Sequence, residues 1–167
     1  PKTMTDISVK SKTDNSIIIE WNYITTANGA SVEIYSSGQW KTTALKSSGA
    51  TSHTITGLKQ ATAYIIRVRA YLNDENGRIY SVYNTTLTET TALSAVENFR
   101  TVISARTALR FNWNRNTAAD GYIVEMANGE SWNTIDVLSG NKSIAVAKTG
   151  LTPDTAYTFR IKAYKTI

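Results

Sequence analysis

Side chains able to do chemistry are few in this chain and widely spaced. Of its 167 residues one is histidine, His53, and none is cysteine. That composition excludes thiolate metal sites, thiol nucleophiles and disulfide frameworks, and leaves too little for a histidine-based metal centre or catalytic triad. The carboxylates are dispersed, with Asp74-Glu75 in a turn and the others isolated. Neither paired acid/base catalysis nor an oxygen-rich calcium cage has the convergence it needs. A glycine-rich phosphate cradle is missing too, as is any strand-to-helix junction to hold one. The chain is therefore expected not to be an enzyme and to carry no cofactor and no metal. His53 alternates with Ile55 and is expected to pack at the interior edge of a strand, with Val146 as its counterpart later in the chain.

Three side chains stand out as candidate ligand contacts. Trp40 and Trp132 each follow a turn containing glycine, Ser37-Gly38-Gln39 and Asn128-Gly129-Glu130-Ser131. An exposed indole offers both area and a hydrogen-bond donor to a sugar face, whereas a ring lying over its own sheet edge would only cover that sheet. Arg78 follows Asn76-Gly77, so it is either a charge held out on a loop for recognition or the first residue of a strand after a tight hairpin turn. Asn84-Thr85-Thr86 and Asn141-Lys142-Ser143 fit the glycosylation acceptor pattern.

The elements that position these residues follow from a repeat. Ile17-x-Ile19-x-Trp21 returns as Leu109-x-Phe111-x-Trp113, and Gly29-x-x-Val32-x-Ile34 as Gly121-x-x-Val124-x-Met126, both shifted by 92. Gly57-Leu58-x5-Tyr64-x-Ile66-x-Val68-x-Ala70-Tyr71 returns as Gly150-Leu151-x5-Tyr157-x-Phe159-x-Ile161-x-Ala163-Tyr164, shifted by 93. A period of that size is a small domain written twice, over 1–91 and 92–167. Within each copy apolar and polar residues alternate over short runs bounded by turn residues, which predicts an all-β fold. In the first copy the strands are expected at Met4 to Val9, Ser16 to Trp21, Ala30 to Tyr35, Trp40 to Leu45, Ser52 to Ile55, Ala63 to Leu72 and Tyr80 to Leu87. Seven short strands argue for a two-sheet sandwich.

Period two also sorts the faces. Ile17, Ile19, Trp21, Val32, Ile34, Tyr64, Ile66, Val68 and Ala70 are expected between the sheets. On the opposite face Glu33 meets Arg67 and Arg69, and Glu125 meets Arg160 and Lys162, as cross-strand pairs on a solvated surface. The 18 basic and 13 acidic residues leave a net charge of +5 spread along the chain. Without a basic stripe, nucleic-acid binding is not expected. No apolar run is long enough to cross a membrane as a helix, so membrane insertion is not expected. The chain opens on Pro1-Lys2, which is expected of a fragment of something longer.

A Trp ending the second strand, a Leu-x5-Tyr element, and the alternating Tyr-x-Ile-x-Val-x-Ala strand after it together resemble the fibronectin type III module. Leu151-Thr152-Pro153-Asp154-Thr155-Ala156-Tyr157 is close to the family's usual wording, and Leu58 to Tyr64 departs from it by Gln60 in place of proline. The resemblance implies a seven-stranded immunoglobulin-like sandwich with the tyrosine hydroxyl tied to nearby backbone. It also implies a non-catalytic spacer or adhesion module, secreted or on a cell surface. The low proline and high Thr and Asn content is similar in style to bacterial members. In animal adhesive relatives the loop bearing Asn76-Gly77-Arg78 can carry an integrin-recognition tripeptide.

The second copy departs from the pattern twice. Lys148 stands where the first copy has Ile55, so either the fifth strand shifts register or the lysine stem reaches past the sheet edge. Ile167 corresponds to Asp74 or Glu75, so the second sandwich lacks a counterpart of the last strand. That absence is expected either of a shortened chain or of strand complementation by another polypeptide. The junction near Thr90 to Ser94 has neither Gly nor Pro, which predicts a limited range of interdomain angles. The expected partners are neighbouring domains of a parent protein. An accessory module binding polysaccharide or a host surface protein is the alternative.

Overall fold

The computed structural model describes residues 1, 5–82 and 86–166, and divides into two compact units, Pro1–Ala92 and Leu93–Ile167. Every regular element is a strand. The first unit holds β1 (Ser8–Lys12), β2 (Ile17–Glu20), β3 (Gly29–Ser36), β4 (Gln39–Ser47), β5 (Ser52–Ile55), β6 (Ala63–Asp74), β7 (Gly77–Tyr80) and β8 (Leu87–Thr90). The second holds β9 (Arg100–Ala105), β10 (Ala108–Asn112), β11 (Gly121–Asn128), β12 (Ser131–Ser139), β13 (Ala145–Lys148) and β14 (Phe159–Tyr164). Pairing is antiparallel throughout, in sheets ordered β1-β2-β5 and β4-β3-β6-β7 with β8 also on β6, then β13-β10-β9 and β12-β11-β14. Among the described residues no helix is long and apolar enough to cross a membrane.

Alternation puts one face of each sheet into a core, as the sequence predicts. Ile17, Ile19, Trp21, Val32, Ile66, Val68 and Ala70 are buried together in the first unit, and Phe111, Trp113, Tyr122, Val124 and Val146 in the second. The two interiors differ in kind. The first is aliphatic around Trp21. The second is a chain of rings, Phe159 to Phe111 at 4.5 Å, Phe111 to Phe99 at 5.3 Å, and Trp113 to Tyr122 at 5.3 Å between centroids. Edge and tilted ring contacts of this sort add to the area term.

Two local devices recur in both units. Tyr64 and Tyr157 each accept a hydrogen bond on the hydroxyl, from Lys59 N at 2.8 Å and Thr152 N at 3.0 Å, which is the tyrosine tie implied by the resemblance. Gly29 and Gly121 open the central strands at points where a Cβ would stand 2.0 Å from Lys46 O and 2.2 Å from Leu138 O, with the Tyr71 and Tyr164 hydroxyls 2.6 Å away. Only a residue without a side chain lets these backbones approach so closely.

Two expectations about elements need correction. The first strand starts at Ser8, not near Met4, because Asp6 takes a left-handed conformation (φ 54°) that breaks the extended run; Met4 itself lies outside the described residues. The expected last strand, Tyr80 to Leu87, meets two separate strands at its ends, and 83–85 lie outside the described residues. β7 pairs with the far end of β6, Tyr71 to Asp74, and β8 with its near end, Ala63 to Ile66. Between them Ser81 holds Ala70 by backbone N–H and side-chain hydroxyl, donating to Ala70 O at 2.9 Å and accepting from Ala70 N at 3.1 Å. Among the described residues the first unit therefore has eight strands where seven were expected. Lys148 causes no register shift: Leu109 faces it just as Ile17 faces Ile55, so the stem ends the strand at the sheet edge.

Position 61 carries identifiable strain. Ala61 has φ 46°, whereas its counterpart in the second unit, Asp154, has φ 54° and belongs to a residue type that tolerates this region. Ala61→Asp is expected to raise stability by about 1 kcal/mol. Gly29→Ala, which puts a methyl group against backbone, is expected to cost about 3 kcal/mol. Chemical denaturation of the two variants beside the parent chain checks both signs.

Candidate functional site

The candidate contacts sit on the outer faces of the β4-β3-β6-β7 sheet and of the β12-β11-β14 sheet. In the first unit β3 and β6 pair with Glu33 opposite Arg67 and Ser31 opposite Arg69, and β4 brings Trp40 opposite Tyr35. Glu33 lies at the centre. It accepts hydrogen bonds from Arg67 Nε at 2.6 Å, from both Nε and Nη2 of Arg69, and from the Ser31 hydroxyl at 3.1 Å. The Arg67 guanidinium lies over the Trp40 ring at 4.0 Å, and Arg69 lies over Tyr80 at 4.3 Å. Tyr35 packs on Trp40 at 5.3 Å with its plane tilted by 59°. The result is one continuous stack across the sheet: Tyr35, Trp40, Arg67, Glu33, Arg69, Tyr80.

The stack overturns the expectation of a solvated ion pair. Glu33 is only 2% exposed and Arg67 6%, because two aromatic rings roof the charges while the strands floor them. A carboxylate removed from water in this way requires its lone pairs filled, and the two guanidinium groups and the Ser31 hydroxyl fill them.

In the second unit the same ladder is thinner. Glu125 accepts from Arg160 Nε and from Lys162 Nζ at 3.4 Å, and Arg160 lies over Trp132 at 4.1 Å. Ile123 stands where Ser31 does, and lysine replaces the second arginine. Arg160 is accordingly 48% exposed at its side chain and Lys162 56%. Hydrogen bonding from Arg160 first, then from Lys162, holds the Glu125 carboxyl below the usual carboxylate value. Its contribution to stability is therefore present above the ordinary carboxylate range and is lost as pH falls through the lowered value.

Trp40 and Trp132 thus each have a ring face taken by an arginine of their own unit. Arg78 is in β7, exposed, paired with Asn73 and over the Tyr71 ring at 5.2 Å. The structure joins Trp40 and Arg78 to one sheet face through β6, and Trp132 stands on the equivalent face of the other unit. His53, in β5 opposite Ile19, is half-buried; burial first and the nearby Lys46 charge second depress its pKa. The Asn141 side chain is tied into its turn, donating to Thr117 O at 3.1 Å and accepting from Arg115 Nε at 3.0 Å. Asn84 lies outside the described residues. Among the described residues no cluster of three or more His, Cys, Asp or Glu side chains could hold a metal.

Sequence reasoning overlooked Ser31 and Tyr80. Ser31 carried a readable signal, since a serine on the polar face two residues before the glutamate can reach it. Tyr80 did not, because its position on β7 depends on where the last strand divides.

Comparison with known proteins places this geometry. A family model described as the fibronectin type III domain matches residues 2–85 and again 94–167. A solved two-domain fibronectin type III segment of chicken tenascin is 20% identical over 98% of this chain and 91% of that one, with a TM-score of 0.64. A chicken contactin structure of domains FN1–FN3 is 14% identical over 98% of this chain and 62% of its own length, with a TM-score of 0.42. No curated protein matches the chain.

The two ladders give a paired test. Glu33→Gln leaves Arg67 charged and buried without its counter-ion, and is expected to cost about 3 kcal/mol. Glu125→Gln, whose partners face water, is expected to cost much less, by an amount that shrinks further with added salt. Urea midpoints of both variants at low and high salt make the comparison.

Proposed function

We propose, for a chain that belongs to the fibronectin type III family in two tandem copies, the role of a non-catalytic spacer or adhesion module in a larger secreted or cell-surface protein. One observation carries the reading: the polar faces are spent on their own structure. The aromatic and cationic groups best suited to recognition, Trp40, Trp132, Arg67 and Arg160, are stacked on one another within each unit. The junction supports the same role. Ala92 is bound into the first unit, donating to Thr13 O and accepting from Ala61 N, and Ser94 O accepts from Asn116 Nδ2 of the second. That leaves Leu93 between the two anchored ends, suited to a connector that passes force or position between neighbouring domains. The low proline and high threonine content favours a bacterial parent.

The alternative, an accessory module for polysaccharide or a surface protein, is tested directly. Retention of the chain on insoluble glycans is expected to be absent. Retention that disappears in the Trp40→Ala, Trp132→Ala double variant would replace the spacer reading by the binding one.

A further inference from the structure

Asn-Gly pairs occur at Asn28-Gly29, Asn76-Gly77 and Asn128-Gly129, all alike in sequence and all serving turns or strand ends. We propose that Asn128 is a site of spontaneous covalent modification, deamidation to an aspartyl or isoaspartyl residue, and that the fold protects the other two. The step is intramolecular. The backbone nitrogen of the following glycine, having lost its proton to solvent base, attacks the asparagine Cγ. A C–N bond forms, the bond from Cγ to Nδ2 breaks, and ammonia leaves with a proton from water. The cyclic imide left behind adds one water across either of its two carbonyls, giving aspartate or isoaspartate. Overall an amide and water become a carboxylate and ammonium.

The attacking nitrogen must be free to approach, and here the three sites differ. Gly29 is buried in a strand flanked on both sides, with Lys46 O and the Tyr71 ring against its Cα. Asn28 is itself held, its side-chain oxygen accepting from Asn73 N at 2.8 Å and its own N–H donating to Tyr71 O at 2.9 Å. At the second site the pair Asp74 and Gly77 closes the turn between β6 and β7. In a two-residue hairpin such a closing pair exchanges both backbone hydrogen bonds, which commits the Gly77 N–H to the ladder. The Asn76 N–H is also taken, by Asp74 Oδ1 at 2.9 Å.

The third site is built one residue out of phase. Asn128 and Ser131 form the closing pair of the β11–β12 hairpin, so Gly129 is the first residue of the turn tip, at φ 61°. Its N–H points away from the ladder, and both it and Asn128 are exposed. The hydrogen bond that the turn does make, Ser131 Oγ to Asn128 O at 2.8 Å, leaves the Asn128 side chain and the Gly129 nitrogen untouched. In the first unit the same hairpin carries Ser36-Ser37-Gly38-Gln39, with serine before Gly38 and at the closing position, so this chemistry belongs to the second unit.

The consequence is local and directional. An isoaspartyl residue lengthens the backbone by one carbon at the closing pair and adds a negative charge at the tip, so the hairpin opens from Ser131 toward Trp132.

Ageing the folded chain in mildly alkaline buffer and mapping the one-dalton mass gain by peptide mass spectrometry tests this. Asn128 is expected to convert at least about tenfold faster than Asn28 or Asn76, the protection of the latter following the cost of local opening. In concentrated urea the three rates are expected to converge, since the neighbouring residue is glycine in every case. Equal rates in the folded chain, or an order that survives in urea, would overturn the assignment of selectivity to the fold.

Discussion

The register between β3 and β6 places Val32 opposite Val68 and Glu33 opposite Arg67, and so decides both faces of the sheet together. A slip of β6 by one residue would turn Arg67 and Arg69 into the aliphatic interior, push Val68 out to the aromatic roof and leave Glu33 without its partners. β11 and β14 repeat the arrangement, with Val124 opposite Ile161 inward and Glu125 opposite Arg160 outward. The close backbone approach at Gly29 and Gly121 fixes where each pairing begins, because only there can the Tyr71 and Tyr164 rings lie across a strand. Core, charge ladder and strand ends are thus consequences of one alignment, written twice.

Much of this was legible from spacing. The tandem repeat, the all-β class, the inward stripe of Ile17, Ile19, Trp21, Val32, Ile66 and Val68, and the partners of Glu33 all follow from period two and from the recurrence of the pattern. What was not legible depends on groups distant in sequence. Alternating charges look solvated until Trp40 from β4 and Tyr80 from β7 are seen to roof them, and neither the roof nor the burial of Glu33 leaves a local mark. The start of β1 turns on the left-handed Asp6, a conformation that aspartate tolerates but does not announce. The division of the last strand turns on Ser81 replacing a ladder contact with its hydroxyl.

The two copies solve one packing problem with different materials. Aliphatic side chains around Trp21 fill the first interior, and rings in stacked, tilted and edge contact fill the second. Rings bury large areas per residue. The same contrast runs over the polar face, where the first unit has a sealed carboxylate with two arginines and a serine, and the second an open carboxylate with an arginine and a lysine. Repetition preserved the geometry of the ladder while its degree of enclosure changed.

The split of the last strand of the first unit has a mechanical meaning. Tension applied at Ala92 would fall on its bonds to Thr13 and Ala61 and then on β8, which holds β6 through four residue pairs and reaches the other sheet through the ion pair of Glu89 with Lys12. β7 is attached separately, at the opposite end of β6, so peeling β8 away does not unzip it. A load would therefore be released in two yields, the first lengthening the chain while the charged stack behind Tyr80 stays shut.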